Sequence, residues 1–245
     1  MTEREDLVAL SSYIYFGPAR IKLLIDYFGS AKYAYKAEQK SLISIGLKVE
    51  RATDFIRYRN EFELKDYFDK LKKLNINFLT INDNGYPQNL VDLDSAPPVL
   101  YIKGNIEPAD SNSVAIVGTR KMTFYGKEVT EKFTRELANM GITIVSGLAL
   151  GIDACAHKAC LDEGGRTIAV LASGLDIITP GANTALAKRI VEGHGALISE
   201  YPLGHPPLRT NFASRNRIIS GLSRAVLVIE GAQQSGTLLT ASSAA

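Results

Sequence analysis

Between Ser113 and Asp153 the chain carries a pattern that few architectures accommodate. The apolar, β-branched run Val114-Ala115-Ile116-Val117 ends in Gly118-Thr119-Arg120, and Ile142-Thr143-Ile144-Val145 later runs into Ser146-Gly147. The stretch between them is long enough for about four helical turns. Two such runs flanking a helix predict a βαβ unit and with it the start of a parallel sheet. Val129, Phe133, Leu137 and Met140 recur at helical spacing with Lys127, Glu128, Glu131, Lys132 and Arg135 between them, which predicts a packed face and a wet one. Gly141 is expected to stop that helix.

The rhythm continues beyond Asp153, which is read as the cap of a helix over Ala154 to Asp162 that ends at Gly164-Gly165. Strands are expected at Thr167 to Leu171, Ala196 to Ile198 and Ala225 to Ile229, with helices at Ala185 to Val191 and from Leu238 onward, the last opened by Ser235-Gly236-Thr237. Short runs at Phe78 to Ile81 and Val99 to Ile102, in a segment rich in Asn, Asp, Gly and Pro, are expected to add two strands, because a wholly unstructured linker of that length is unusual. Residues 1–75 read instead as small helices, Leu7 to Tyr15, Ala19 to Phe28, Ala31 to Tyr35, Val49 to Tyr58 and Phe62 to Leu74. The expected fold class is therefore α/β, a Rossmann-like doubly wound and mainly parallel sheet over residues 76–245, preceded by a small all-helical domain over residues 1–75.

Within the helical part, Tyr15-Phe16-Gly17-Pro18-Ala19-Arg20 and Ser44-Ile45-Gly46-Leu47-Lys48 resemble two worn copies of a helix-hairpin-helix turn. The backbone amides of such turns can meet a DNA phosphate, although glycine between short helices is also plain punctuation.

Composition bounds the function. The 245 residues are 46% apolar with a net charge of +2, and no unbroken apolar run reaches membrane length. The charged start, Met1-Thr2-Glu3-Arg4-Glu5-Asp6, has no apolar segment behind it, so a cytoplasmic protein without membrane contact is expected. Cys155 and Cys160 have neither disulfide-framework nor metal spacing and read as buried thiols. Basic character is local: from Ser111 onward thirteen Lys or Arg face ten Asp or Glu, and Arg209, Arg215, Arg217 and Arg224 share one acid-free stretch.

Gly118-Thr119-Arg120 and Ser146-Gly147 fall at the carboxyl ends of their strands, the edge where open α/β sheets bind ligands. Glycine permits close approach to the backbone and Arg120 adds a planar cationic fork, so phosphate is the expected group there. The loop lacks G-x-G-x-x-G, and the second strand ends in Ser146-Gly147 where an acid should meet a ribose, which argues against a nicotinamide cofactor. No nucleophile elbow is present, and His157, His194 and His205 have neither ligand nor triad spacing, so core or surface roles are expected for them. The run from Arg209 to Ser223 interleaves Phe212 with cations and amides, a combination suited to single-stranded nucleic acid. Guanidinium groups take phosphates, a phenyl face stacks on an unpaired base, and Asn can address a base edge. Ile218, Ile219 and Leu222 supply that helix's buried face.

Taken together, Gly118-Thr119-Arg120, the run from Ser146 to Asp153, Ser173-Gly174-Leu175-Asp176, Phe212 with the run from Arg215 to Ser223, and Glu230 with Ser235-Gly236-Thr237-Leu238-Leu239-Thr240-Ala241 resemble the DprA/Smf family from about Leu79 to the end. The resemblance implies a bacterial protein that binds and protects incoming single-stranded DNA during natural transformation and helps load the RecA recombinase for homologous recombination, without catalysis or cofactor. By position, the pocket would comprise Gly118, Thr119, Arg120, Ser146, Gly147, Arg209, Phe212, Asn216 and Arg217, closed by Ser235 and Gly236. Thr119 stands where the family usually has Ser and keeps the hydroxyl. The chain ends where the family continues with further sheet and often a winged-helix domain, so a truncated sheet domain is expected, together with a homodimer contact carried by its C-terminal part. The alternative is a nucleotide-cleaving enzyme resembling the LOG phosphoribohydrolases of the same superfamily. Those carry P-G-G-x-G-T-x-x-E, and Thr240 occupies the place of the final acid here. A blander option is a RecA scaffold with incidental DNA affinity.

Overall fold

Alternation along short β-branched strands places successive side chains on opposite faces of one sheet. The computed structural model of the protein describes residues 2–93, 95–193 and 195–231. Its seven strands are β1 (Asn77–Thr80), β2 (Val99–Gly104), β3 (Ser113–Gly118), β4 (Thr143–Ser146), β5 (Thr167–Val170), β6 (Gly195–Ser199) and β7 (Ala225–Ile229), arranged in the order β1-β2-β6-β5-β4-β3-β7. The pairs linking β3 to β7 are parallel, whereas β1 and β2 join antiparallel at the other edge. On one face, Ile116 and Ile144 meet α8 (Phe124–Asn139) and α9 (Ile152–Asp162), with α10 (Thr184–Val191) beyond. On the other, Ala115, Val117 and Val145 meet Ile218, Ile219 and Leu222 of α11 (Arg209–Leu222) and the short helix α7 (Gln88–Val91). This is the expected Rossmann-like, mainly parallel architecture. The chain steps from β3 through β6 in one direction and returns to β7 on the far side of β3, which puts the topological switch beside β3.

The N-terminal region forms α1 (Glu3–Ser11), α2 (Pro18–Phe28), α3 (Ala31–Lys36), α4 (Gln39–Ser44), α5 (Val49–Glu61) and α6 (Leu64–Lys73). The first of these begins at Glu3 rather than Leu7, because Thr2 and Glu5 form a reciprocal capping box that satisfies two amides ahead of the apolar run. These helices share their core with the sheet: Leu42 and Phe55 belong to the same buried cluster as Val99, Tyr101 and Leu197. The Tyr67 hydroxyl accepts from the Leu203 amide at 3.2 Å. Composition changes near Asn75, but the buried surface runs across that point.

The packed face of α8 is the expected one in part, with Val129 and Leu137 packed against the cluster of Ile116 and Ile144. Gly126, Thr130 and Thr134 are buried, while Phe133 is 43% and Met140 73% exposed. A stripe of small residues lets the helix lie close to its neighbours, and Thr130 satisfies its hydroxyl by donating to the Gly126 carbonyl at 2.7 Å. Of the expected line, Phe133 and Met140 therefore fall outside the packed face, which the small residues extend around the helix.

His157 lies in α9 and is fully buried. The Thr167 hydroxyl donates to the Ile144 carbonyl and so accepts from His157 Nδ1 at 2.7 Å, leaving Nε2 as an unpartnered acceptor. Burial, aided by the Arg215 charge, pushes the imidazole down to about 3. The unfolded chain takes up this proton near pH 6.5 while the folded chain does not, so stability should fall by about 1.4 kcal/mol per pH unit as pH drops from about 6.5 toward 3. Urea unfolding at a series of pH values measures that slope, and His157→Gln should make it shallower by about this amount.

Candidate nucleic-acid interface

α11 runs from the carboxyl edge of the sheet back to the amino edge, where the Leu222 carbonyl accepts from Ser113 Oγ at 2.8 Å. Its first turns therefore stand over the strand ends. Asn211 fixes them by donating to the Ala172 carbonyl at 3.1 Å and pairing with His205 Nε2 at 2.8 Å. One side of the helix, Asn211, Arg215, Ile218, Ile219 and Leu222, is buried. A neighbouring sector carries Arg209, Phe212 and Asn216, and Arg217 lies on a third.

The half-buried Phe212 meets the exposed Arg120 from the loop after β3, with the guanidinium carbon 5.2 Å from the ring centroid. The structure thus joins the Gly118-Thr119-Arg120 loop to the Phe212 helix, two segments about ninety residues apart that composition alone could only nominate separately. Arg209 is exposed at the start of the same helix. Thr119 is half-buried, and its hydroxyl accepts from the Lys121 amide at 3.1 Å, which turns the loop and leaves Lys121 exposed beside Arg120. Gly151, at φ +79°, allows the loop to pass, since a Cβ there would lie 2.3 Å from the Thr119 carbonyl oxygen.

Behind this shelf the strand ends are stapled internally. Asp153 accepts from the amides of Gly147 at 3.1 Å and Ala149 at 3.4 Å. It reaches back from inside the first turn of α9, whose cap is Gly151, rather than capping the helix as expected. Burial raises its carboxyl, opposed first by the charge of Arg215. Arg215 is itself buried and donates through Nη1 to the carbonyls of Gly147, at 2.7 Å, and of Val170. Burial brings its guanidinium down to about 10 against the pull of Asp153, with Arg120 adding repulsion. A Cβ on Gly147 would lie 2.4 Å from that guanidinium, so this glycine makes room for Arg215. Sequence reasoning did not single out Arg215, although its spacing from Ile218, Ile219 and Leu222 places it on the buried side.

Two expected pocket residues point elsewhere. Ser146 is buried and donates to the Ile116 carbonyl at 2.6 Å, so its hydroxyl completes the sheet. Arg217 turns away from Arg120: Nη2 donates to Glu200 at 2.5 Å, Nε to Ser95 Oγ at 2.9 Å and Nη1 to the Ser214 carbonyl at 3.3 Å. Its side chain is 16% exposed and that of Glu200 only 7%, which makes this a mostly buried ion pair instead of an open clamp. Asn216 accepts from Arg215 Nε at 3.2 Å. Ser235 and Gly236, and the helix expected after them, lie outside the described residues, as does His194.

Glu230 adds an unforeseen element. At φ +54° it follows β7 and places its carboxylate at the start of α8, where it accepts from the Thr123 amide at 3.0 Å and from the Thr123 hydroxyl. Those bonds hold its carboxyl below the usual range. Gly126 leaves room for it there, since a Cβ would lie 2.4 Å from the carboxylate.

Among the described residues no metal-binding cluster and no helix long and apolar enough to cross a membrane is found. The family model described as DNA recombination-mediator protein A matches residues 77–245, which span the whole sheet and both halves of this shelf. The chain belongs to that family. Among DprA/Smf relatives, Protein Smf of Synechocystis sp. is 44% identical over 230 residues, covering 92% of this chain and 58% of that protein. DNA processing protein DprA of Bacillus subtilis is 40% identical over 187 residues, covering 73% of this chain and 63% of that one. The chain thus spans less than two thirds of either relative's length. The X-ray structure of DprA from Streptococcus pneumoniae aligns with all of this chain and 83% of its own at a TM-score of 0.82 and 33% identity. DprA from Helicobacter pylori, whose structure is described for its single-stranded DNA binding mode, aligns with 70% of this chain and 76% of its own at a TM-score of 0.63 and 34% identity.

Proposed function

We propose that this DprA/Smf protein binds single-stranded DNA at the carboxyl edge of its sheet, protects it, and helps load RecA onto it in natural transformation and homologous recombination. The observation that carries the reading is the pairing of exposed Arg120 with half-buried Phe212 at that edge. A cation and a π-face side by side offer one nucleotide both of its needs, a partner for phosphate and a platform for an unstacked base. In this reading Arg120 and Arg209 take phosphates, Phe212 stacks, Asn216 addresses a base edge, and Gly118, Thr119 and Gly147 shape the floor. Ser146, Arg215 and Arg217 support it from within. The relatives named DNA processing proteins and the single-strand binding described for the Helicobacter pylori DprA support this choice. Work in the cytoplasm and a homodimer belong to the same proposal.

Fluorescence-anisotropy titration should show tighter binding to a single strand than to a duplex of the same length, with affinity falling as salt rises. Equal affinity for the duplex would argue against a stacking site. Release of free base from nucleoside monophosphates would instead favour a phosphoribohydrolase. RecA loading is checked by RecA filament formation on strands already coated by a single-strand-binding protein, which this chain should accelerate.

A further inference from the structure

Large aromatic side chains are normally covered, yet Phe124 and Tyr125, at the first turn of α8, are 76% and 70% exposed. They sit in the run Thr119-Arg120-Lys121-Met122-Thr123-Phe124-Tyr125-Gly126-Lys127, which holds three cations and no acid. Adjacent helical residues diverge by about 100°, so the two rings cover a broad sector instead of one spot. A groove of about 610 Å³ between α8, α9 and α10 begins at Met122 and Gly151, the latter against Thr119 and Arg120. Of its cations, Lys127 pairs with Glu131 at 3.7 Å, Arg135 with Glu163 at 3.5 Å and Arg189 with Asp162 at 2.8 Å, and Lys158 has no ion pair among the described residues. An exposed aromatic pair that follows Arg120 in the chain and precedes Lys127 of the groove is complementary to a polyanion with stackable bases.

We infer that a single strand leaving the Arg120–Phe212 shelf crosses the start of α8, stacks a further base on Phe124 or Tyr125, and directs its phosphates along the groove past Lys127 and Lys158. This rests on the single-strand reading of the shelf. It makes Phe124 and Tyr125 determinants of site length, distinct from the residues that hold the first nucleotide.

The test compares the full chain with the double variant Phe124→Ser/Tyr125→Ser, using labelled oligothymidylates of about 5 and about 20 nucleotides, lengths that bracket typical single-strand sites. Both rings are exposed, so circular dichroism should match. Affinity for the long strand should drop about tenfold, as expected for one lost stacking step, while that for the short strand stays the same. In the unaltered protein, a 5-iodouridine-substituted long strand should cross-link to Phe124 or Tyr125. Equal weakening of both lengths, or no change with no cross-link, overturns the inference and leaves the shelf reading standing. If the variant instead loses self-association with long-strand affinity unchanged, the rings face a second copy of the chain and the inference is likewise overturned. Failure of the unaltered protein to bind either strand removes the shelf reading and this inference together.

Discussion

Arg217→Ala is expected to lower the thermal midpoint by about 10 °C while leaving the single-strand affinity of the folded protein nearly unchanged. The guanidinium donates to a carboxylate whose side chain is 7% exposed, so its removal strands Glu200 in the interior. Breaking a buried pair from one side costs about 3 to 5 kcal/mol, a large share of a total stability of roughly 5 to 15. Burial already raises the Glu200 carboxyl, and Arg217 is the first influence opposing that rise. An apolar replacement of both partners, Glu200→Leu with Arg217→Met, should recover most of the loss, because no charge is then left unpaired. Thermal unfolding of the three proteins decides the matter. A fully stable Arg217→Ala whose salt dependence on single strands becomes shallower would return Arg217 to the role of phosphate clamp.

The second large effect falls on binding. Phe212→Ala should cost about 1 to 3 kcal/mol of single-strand affinity with the log-log salt slope nearly unchanged, since a stacking surface but no charge is lost. Arg120→Ala should instead lower that slope by roughly 0.7, the signature of one phosphate contact on a single strand. It also removes the cation over the Phe212 ring, so the two changes made together should cost less than the sum of their separate effects. Anisotropy titrations across a salt series separate these outcomes. A Phe212→Ala protein that unfolds while its folded fraction binds normally would make Phe212 a core residue and end the stacking role.

The strands were legible because short β-branched runs between turn residues have few other fates, as at β3, which ends in Gly118. The carboxyl-edge location of Gly118-Thr119-Arg120 followed from that alone. The pairing of Arg120 with Phe212 was not, since it depends on how far α11 lies from the loop after β3, a tertiary distance. Arg215 and Arg217 look alike in composition and were separable only by helical phase. Ile218, Ile219 and Leu222 mark the buried side, and Arg215 continues it whereas Arg217 does not. The resemblance put Ser146 in the pocket, but a serine at a strand end serves equally well as ligand donor or as internal bond, and its donation to Ile116 depends on the neighbouring strand. In α8 small residues share the packed face with Val129 and Leu137 while Phe133 stays exposed, a division that shows only when the opposing surface is known.

The carboxylate of Glu230 bears on what kind of molecule can use this edge. In sheets of this type the start of the first crossover helix is the seat on which a nucleotide rests its phosphate. Here that seat is taken by the chain's own anion, bonded to Thr123 and fitted against Gly126. A small nucleotide that seated its phosphate there would have to displace this carboxylate. A polymer has no such requirement, because its backbone enters at one side and leaves at the other. In the proposed reading the edge is a thoroughfare instead of a berth, with Arg120 and Phe212 standing at its kerb.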